Sequence, residues 1–246
     1  MSVGLGIDVG GSGIKAARVD LVTGEFIGER VRVETPQPAT PDAVVAATAE
    51  LVAGLDHVGP VGIGFPSPIV DGVTTLAANI DVQWVGAHAA RLFEEGLGRP
   101  VALVNDADAA GIGEAAFGAI RGVPGVVVLL TLGTGIGSAL LNDGVLVPNT
   151  EMGHLQVRGK DAEDRAAASV REDRDLSWGA WAQRLSEVIS AIDRLFWPDL
   201  VVLGGGVSRK ADKFIPLLEV RPPVVAAALQ NRAGIVGAAL AAARQG

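Results

Sequence analysis

Residues 8–15 read Asp-Val-Gly-Gly-Ser-Gly-Ile-Lys and join an apolar run at 4–9 to a second apolar run at 14–19. Two short apolar runs joined by glycines predict a β-hairpin with a glycine-rich turn. Because glycine carries no Cβ, the backbone N–H groups of such a turn can hold phosphate oxygens. Asp8 can hold Mg²⁺ through water beside a bound phosphate. A plain glycine hairpin with Asp8 as a turn residue explains the same segment, and the pattern is not that of a P-loop.

A second segment repeats this design. Residues 126–132 read as a strand that ends in Gly133-Thr134-Gly135-Ile136-Gly137, after which residues 138–141 continue as strand. Aligning residues 11–14 with residues 133–136 indicates an internal duplication, with one strand-turn-strand phosphate site in each half. Two such turns are unremarkable by chance in a chain that contains 33 glycines, so the alignment needs support from the other motifs.

Apolar periodicity assigns the remaining elements. Strands are predicted at 61–65, 101–104 and 200–203, and they alternate with helices predicted at 42–55, 91–97, 107–117, 162–170, 176–196 and 234–244. Strands that alternate with helices predict parallel βαβ pairing joined to antiparallel hairpins, which is an α/β fold.

Composition excludes several classes of function. The net charge of −8 argues against non-specific nucleic-acid binding, which needs a basic surface. The chain has no cysteine, which excludes disulfides, thiolate zinc sites and cysteine nucleophiles. Residues 1–6 lack the basic and apolar regions of a secretory signal, and glycines interrupt the uncharged run 122–142, so we expect a cytoplasmic protein without a membrane span.

A third motif, Asn105-Asp106-Ala107-Asp108, lies where a predicted strand runs into a predicted helix. Ligand-facing residues of α/β proteins collect at such junctions. The Asp106 carboxylate can there accept the proton of a sugar hydroxyl as that oxygen attacks phosphorus. The alternative is that Asp106 and Asp108 only cap the helix.

Two further motifs carry polar groups that suit a sugar and an anion. Glu151 and His154 are three residues apart and can present an acceptor and a donor to adjacent sugar hydroxyls, although a lone histidine is often structural. The segment Gly204-Gly205-Gly206 is followed by Arg209, Lys210 and Lys213, which we predict to bind polyphosphate, unless they form a solvated basic face.

In this order, the motifs resemble the ROK family of bacterial repressors, open-reading-frame proteins and sugar kinases, within the actin-like ATPase superfamily. Within that family the chain is most similar to the polyphosphate/ATP-dependent glucokinases and glucomannokinases. Each glycine motif alone is weak evidence, whereas the ordered series is specific and spans nearly the whole chain. The stretches are DVGGSGIK at 8–15, TPQPATP at 35–41, NDADAAG at 105–111, LTLGTGIGSA at 130–139, PNTEMGHLQV at 148–157, WPDL at 197–200, GGGVSRKADKF at 204–214 and ALQNRAGIVGAA at 228–239.

The resemblance implies a two-lobed fold of duplicated RNase H-like units with sugar in the interlobe cleft. It implies an N-terminal lobe at 1–105 and a C-terminal lobe at 106–246, with the last helix packing back on the first lobe. Asp106 is implied as the catalytic base. The implied sugar ligands are Asn79, Asn105, Asp106, Glu151, His154 and Glu163. The implied phosphate contacts are Asp8, Gly10, Gly11, Ser12, Gly13 and Lys15 in the first turn, Gly133, Thr134 and Gly135 in the second, and Gly204, Gly205 and Gly206 for the adenosine of ATP.

The implied reaction is phosphoryl transfer from inorganic polyphosphate or ATP to the 6-hydroxyl of glucose, with Mg²⁺ as cofactor, mannose as a further acceptor and a homodimer as the assembly. An ATP-only hexokinase and a non-catalytic sugar-binding regulator are the alternatives. The missing cysteine cluster implies no structural zinc, and no helix-turn-helix domain precedes Gly4, so DNA binding is not expected. The chain departs from the family pattern at Ser67-Pro68 and at Gln156.

Overall fold

The structure is a computed structural model that describes residues 3–77 and 80–244. Over these residues the strands are β1 (Val3–Gly10), β2 (Gly13–Asp20), β3 (Phe26–Val33), β4 (Val61–Phe65), β5 (Ile69–Val70), β6 (Val73–Thr74), β7 (Val101–Asn105), β8 (Val126–Leu132), β9 (Ile136–Asn142), β10 (Val145–Val147), β11 (Gln156–Val157), β12 (Lys160–Asp161), β13 (Leu200–Gly204) and β14 (Val224–Ala226).

The α-helices over the same residues are α1 (Pro41–Ala53), α2 (Ala89–Leu97), α3 (Asp106–Phe117), α4 (Ala162–Ala166), α5 (Ala168–Asp173), α6 (Trp178–Phe196) and α7 (Ala233–Ala243). Within the described chain, none of the helices combines the length and apolar character that a membrane crossing requires.

The chain divides into two compact units. Unit 1 comprises Met1–Phe117 and Arg232–Gly246, and unit 2 comprises Gly118–Asn231. Unit 1 therefore extends past the predicted lobe boundary between residues 105 and 106 and includes α3, and it takes α7 from the end of the chain.

Unit 1 is built on a five-stranded sheet with the order β3-β2-β1-β4-β7. The first three strands pair antiparallel, and β4 and β7 add parallel to β1. Its core contains the rings of Phe65, Trp84 and Phe93, with centroids of Phe65 and Trp84 4.6 Å apart. Each fully buried ring of this size stabilises the fold by about 2–3 kcal/mol.

Helix α7 contributes small residues to the middle of unit 1. A Cβ on Gly237 would collide with the backbone of Ala109 in α3, and a Cβ on Gly62 in β4 would collide with the backbone of Ala238. The backbones of α7, α3 and β4 therefore touch directly. This close approach explains why eight of the eleven residues of α7 are alanine or glycine.

Unit 2 repeats the sheet of unit 1. Its strand order is β10-β9-β8-β13-β14, in which β8, β9 and β10 pair antiparallel and β13 and β14 add parallel. Its core includes Trp181 and Phe214, whose ring centroids lie 4.9 Å apart. The identical order of pairing in the two sheets confirms the predicted duplication and the predicted α/β fold class.

One predicted helix is wrong in its extent. The segment 162–170 forms two short helices, α4 and α5, because Ala167 adopts an extended backbone with ψ 156°. The carbonyls of Ala166 and Ala167 accept the indole N–H of Trp181, at 3.1 and 3.2 Å. This tertiary hydrogen bond stabilises the break, and periodicity alone does not reveal it.

Candidate active site

The first glycine turn closes the β1–β2 hairpin between Gly10 and Gly13, which pair directly. On the same two strands Asp8 lies opposite Lys15, and the Lys15 Nζ donates to Asp8 Oδ2 at 2.8 Å. Both side chains are partly exposed, at 23% for Asp8 and 30% for Lys15. The hairpin therefore places a carboxylate and an ammonium side by side near the base of the turn.

Three side chains from residues 32–37 hold the carbonyl groups of this turn. Thr35 Oγ1 donates to the Gly10 carbonyl, Gln37 Nε2 to the Gly11 carbonyl at 3.4 Å, and Arg32 Nη2 to the Ser12 carbonyl at 3.1 Å. Thr35 is buried, whereas Arg32 and Gln37 are exposed. The orientation of three successive peptide groups is therefore fixed by side chains outside the glycine motif.

Asp106 lies at the start of α3, directly after β7. The cap of this helix is Asn105, whose Oδ1 accepts from the N–H groups of Ala107 and Asp108 at 2.9 and 3.0 Å. Asp106 Oδ1 accepts from the N–H group of its neighbour Ala107 at 2.7 Å. Capping therefore occupies the Asn105 oxygen and does not account for Asp106, which is half-buried.

Asp8 and Asp106 both approach Gly234 of α7. A Cβ on Gly234 would lie 3.8 Å from Asp8 Oδ1 and 4.0 Å from the Asp106 carbonyl oxygen. The close packing of α7 thus fixes the end of β1 and the start of α3 around one glycine. Within unit 1, the side chain of Asp8 and the backbone of Asp106 therefore lie against the same glycine.

The second glycine turn, Gly133–Gly135, joins β8 and β9 in unit 2. The Ser169 backbone N–H donates to the Gly133 carbonyl at 3.1 Å, and Ser169 Oγ donates to the Thr134 carbonyl at 2.7 Å. Gly205 has φ 80°, and a Cβ there would collide with the backbone of Leu132. The structure therefore places the predicted glycines 204–206 beside this turn.

Glu163 connects the second turn with the predicted sugar motif. Its Oε2 accepts from the Ile136 N–H at 3.2 Å, and its Oε1 lies 3.9 Å from His154 Nδ1. The buried Ser138 holds the same motif, because its Oγ donates to the Thr150 carbonyl at 2.7 Å and accepts from the Met152 N–H at 2.9 Å. Unit 2 thus brings Glu151, His154 and Glu163 into one cluster.

Asp161 orients His154. The imidazole Nδ1 lies 3.1 Å from Asp161 Oδ2 and donates to it, which directs Nε2 away from this contact. The amide of Gln156 donates to the other oxygen of the same carboxylate. A glutamate at position 156 could not donate in this way, so the departure from the family pattern at Gln156 suits the Asp161 contact.

The surroundings of this cluster raise the pKa values of His154 and Glu151. The hydrogen bond that His154 donates to Asp161 raises the pKa of His154 above its ordinary 6.5, burial opposes the shift, and the negative charges of Glu163, Glu151 and Asp161 add to it. Burial raises the pKa of the Glu151 carboxyl, His154 lowers it and Glu163 raises it. Protonated His154 and its acidic neighbours therefore stabilise each other.

The predicted basic residues that follow the third glycine motif are exposed. Arg209, Lys210 and Lys213 lie exposed on the 3-10 helix Gly206–Lys213, with no carboxylate in ion-pair contact among the residues that the structure describes. Asn79 lies outside the described residues. Over 3–77 and 80–244, no group of three or more His, Asp or Glu side chains is placed to hold a metal ion.

Sequence reasoning missed the residues outside the motifs that hydrogen-bond to them. Arg32, Thr35 and Gln37 support the first turn, and Asp161 orients His154. The apolar residues Val31 and Val33 around Arg32 give a weak alternating signal for β3, which could have placed Arg32 on a strand next to the hairpin. No local signal links Asp161 to His154.

Comparisons with known proteins agree on one family. The family model described as "ROK family" matches residues 4–169. The polyphosphate glucokinase of Mycobacterium tuberculosis strain CDC 1551 is 55% identical over 239 residues, which cover 97% of this chain and 90% of that protein.

Two solved structures match along the whole chain. The inorganic polyphosphate/ATP-glucomannokinase of Arthrobacter sp. strain KM superposes with a TM-score of 0.97 at 49% identity, covering 100% of both chains. A ROK family glucokinase of Streptomyces griseus, solved in complex with glucose and AMPPNP, gives a TM-score of 0.84 at 27% identity, also with 100% of both chains covered.

Proposed function

Because this chain belongs to the ROK family, we propose that it transfers a phosphoryl group from inorganic polyphosphate or ATP to the 6-hydroxyl of glucose. The observation that carries the proposal is the 55% identity to a polyphosphate glucokinase over 97% of the chain. The full-length match to a polyphosphate/ATP-glucomannokinase supports the same pair of donors and supports mannose as a second acceptor.

Asp106 is proposed as the general base. Its carboxylate accepts the proton of the sugar 6-hydroxyl while that oxygen attacks the terminal phosphorus of the donor, and the P–O bond to the remaining phosphate chain breaks. The position of Asp106 at a strand-to-helix junction, with the capping role taken by Asn105, supports this role.

Glu151, His154 and Glu163 are proposed to bind the sugar hydroxyls. A carboxylate accepts hydrogen bonds and the imidazole Nε2 can donate when His154 is protonated, which its raised pKa favours. Asn79 and Asn105 complete the set that the family resemblance implies. Recognition of hydroxyls by fixed polar groups discriminates strongly against acceptors that lack them.

The two glycine turns are proposed to hold the donor phosphates. Asp8 fits a site for Mg²⁺, because this ion is commonly held by one or two carboxylates together with substrate phosphates, and Asp8 is partly exposed beside the first turn. When bound, Mg²⁺ would neutralise charge on the transferred group. Lys15 lies next to Asp8 and supplies a fixed positive charge at the same place. The homodimer and the cytoplasmic location stay predictions of the family resemblance.

The first experiment measures glucose 6-phosphate formed from glucose and Mg²⁺ with nucleotide-free polyphosphate in one reaction and ATP in another. Product with both donors is the expected result. Product with ATP alone would reassign the chain as an ATP-only hexokinase. No product with either donor would refute the proposal and favour a sugar-binding regulator.

The second experiment tests the exposed cations of the 3-10 helix. A polymer contacts several cations in a row, so reversing charge at Lys210 and Lys213 to Glu should raise KM for polyphosphate by about tenfold or more and KM for ATP by less. The matched control reverses Arg121 and Arg194, which are exposed on other parts of unit 2. An equal effect on both donors would refute a role specific to the polymer.

A further inference from the structure

A row of three charged residues crosses the sheet of unit 1 at the first turn. Asp8 in β1 lies opposite Lys15 in β2, and Lys15 lies opposite Arg32 in β3. Residues directly opposite each other on adjacent strands project from the same face of a sheet. The carboxylate, the ammonium and the guanidinium therefore share one face.

The charges in this row do not balance. Lys15 is paired with Asp8 at 2.8 Å, whereas within the described chain no carboxylate forms an ion pair with Arg32. Like charges directly opposite each other across two strands destabilise a sheet. The Lys15–Arg32 pair therefore carries one uncompensated positive charge, which an anion bound beside it would neutralise.

Arg32 is held against the turn itself. Its Nη2 donates to the Ser12 carbonyl at 3.1 Å, and a Cβ on Gly13 would lie 2.8 Å from its Nε. The absence of a side chain at Gly13 thus gives the guanidinium its place. Arginine has five N–H donors in a planar fork that matches phosphate, and the contact with Ser12 uses one of them.

We propose that Arg32 is a phosphate-binding residue of the donor site, acting with Lys15 on the same face of the sheet. Its ligand is the phosphate chain common to polyphosphate and ATP. The inference rests on the proposed function, because it takes the first turn as the place where the donor binds. It adds a residue from an edge strand to a site otherwise built from the glycine motifs.

The test compares Arg32→Ala, Arg32→Lys and the parent protein. Loss of a charged hydrogen bond to phosphate should raise donor KM by about tenfold or more in Arg32→Ala and leave glucose KM unchanged. Arg32→Lys keeps the charge and should restore part of the affinity. Arg30→Ala is the matched control, since Arg30 is an exposed arginine on the same strand, two residues further from the first turn.

The two donors distinguish where Arg32 acts. A rise in KM for polyphosphate and ATP alike supports a contact to the phosphates that both share, and a rise for polyphosphate alone supports a contact further along the polymer. Donor KM values within about twofold of the parent in Arg32→Ala, or an equal effect of Arg30→Ala, would overturn the inference.

Calorimetric titration with tripolyphosphate in the absence of sugar separates this inference from the proposed function. Weaker binding to Arg32→Ala than to the parent supports the anion site even where the parent forms no sugar phosphate, which would refute only the proposed function. Unchanged tripolyphosphate binding, with an active parent enzyme, refutes the Arg32 site and leaves the proposed function standing.

Discussion

The β1–β2 hairpin of unit 1 and the β8–β9 hairpin of unit 2 occupy the same position in sheets of the same strand order, yet their turns are built differently. In unit 1, two residues separate the paired Gly10 and Gly13, and charged residues stand opposite each other below the turn. In unit 2, three residues separate the paired Leu132 and Ile136, and residues 126–142 carry no charge at all.

The two turns also differ in the groups that donate hydrogen bonds to their carbonyl oxygens. Side chains of Arg32, Thr35 and Gln37 hold the carbonyls of the first turn, whereas a backbone N–H and a hydroxyl of Ser169 hold those of the second. The first turn is therefore supported by side chains that include a guanidinium, whereas the carbonyls of the second turn are held by uncharged groups of Ser169. We expect changes in unit 1 to affect turnover and donor binding, and changes in the acidic cluster of unit 2 to affect the sugar.

The largest expected effect is that of Asp106→Asn. Removal of the general base should lower kcat by roughly 10²- to 10⁴-fold while glucose binding is largely retained, as measured by steady-state kinetics and by calorimetry with glucose. Asp42→Asn is the matched control, because Asp42 is likewise an acidic residue in the first turn of a helix of unit 1. Turnover of Asp106→Asn near the parent rate would contradict the assignment.

An intermediate effect on donor kcat/KM is expected from substitutions of Thr35 and Ser169, which hydrogen-bond to the first and the second turn. Thr35→Val removes the hydroxyl that donates to the Gly10 carbonyl and should lower donor kcat/KM by about tenfold, while Thr35→Ser restores it. Ser169→Ala should lower donor kcat/KM by only about two- to threefold, because the Ser169 backbone N–H still donates to the Gly133 carbonyl. Glucose KM should not change in any of these variants.

Steady-state kinetics with varied donor at saturating glucose compare the Thr35 and Ser169 variants. Thermal unfolding of each variant shows whether a loss of activity reflects a loss of stability. A larger loss in Ser169→Ala than in Thr35→Val would show that the second turn depends more strongly on its side-chain support. The difference between the two hairpins would then lie in their charges alone.

The smallest expected effect is on the titration of His154. Asp161→Asn removes the carboxylate whose hydrogen bond raises the His154 pKa, so the NMR titration midpoint of this imidazole should fall. The other two histidines, His57 and His88, serve as internal controls. An unchanged midpoint would show that Glu151 and Glu163 alone hold the imidazolium.

The hydrogen bond between His154 and Asp161 also makes the stability of the fold depend on pH. Because the folded-state pKa of His154 is raised, its protonation stabilises the fold below about pH 6.5, and this contribution is lost as the pH rises through the folded-state pKa. In Asp161→Asn the contribution should be smaller. Thermal unfolding of both proteins across this pH range measures the difference.

Much of unit 1 and unit 2 could be predicted from local patterns. The glycine turns, the strands that flank them and most helices follow from apolar periodicity and from glycines that mark the ends of the apolar segments. The edge strands β3, β10 and β14 were not predicted, because an edge strand is short or only half-buried and gives a weak pattern. The break at Ala167 was missed because a tryptophan distant in sequence stabilises it.

The sequence by itself determined the α/β class, the duplicated hairpins, the family and the identity of the residues on the motifs. Only the tertiary structure decided that Arg32 stands opposite Lys15, that Asn105 rather than Asp106 caps α3, that Gly234 meets both Asp8 and Asp106, and that Asp161 orients His154. The physical reason is that a motif fixes local backbone geometry within a few residues. Strand register, helix packing and ion pairs join residues far apart in the chain, and their positions are set by the burial of the whole core.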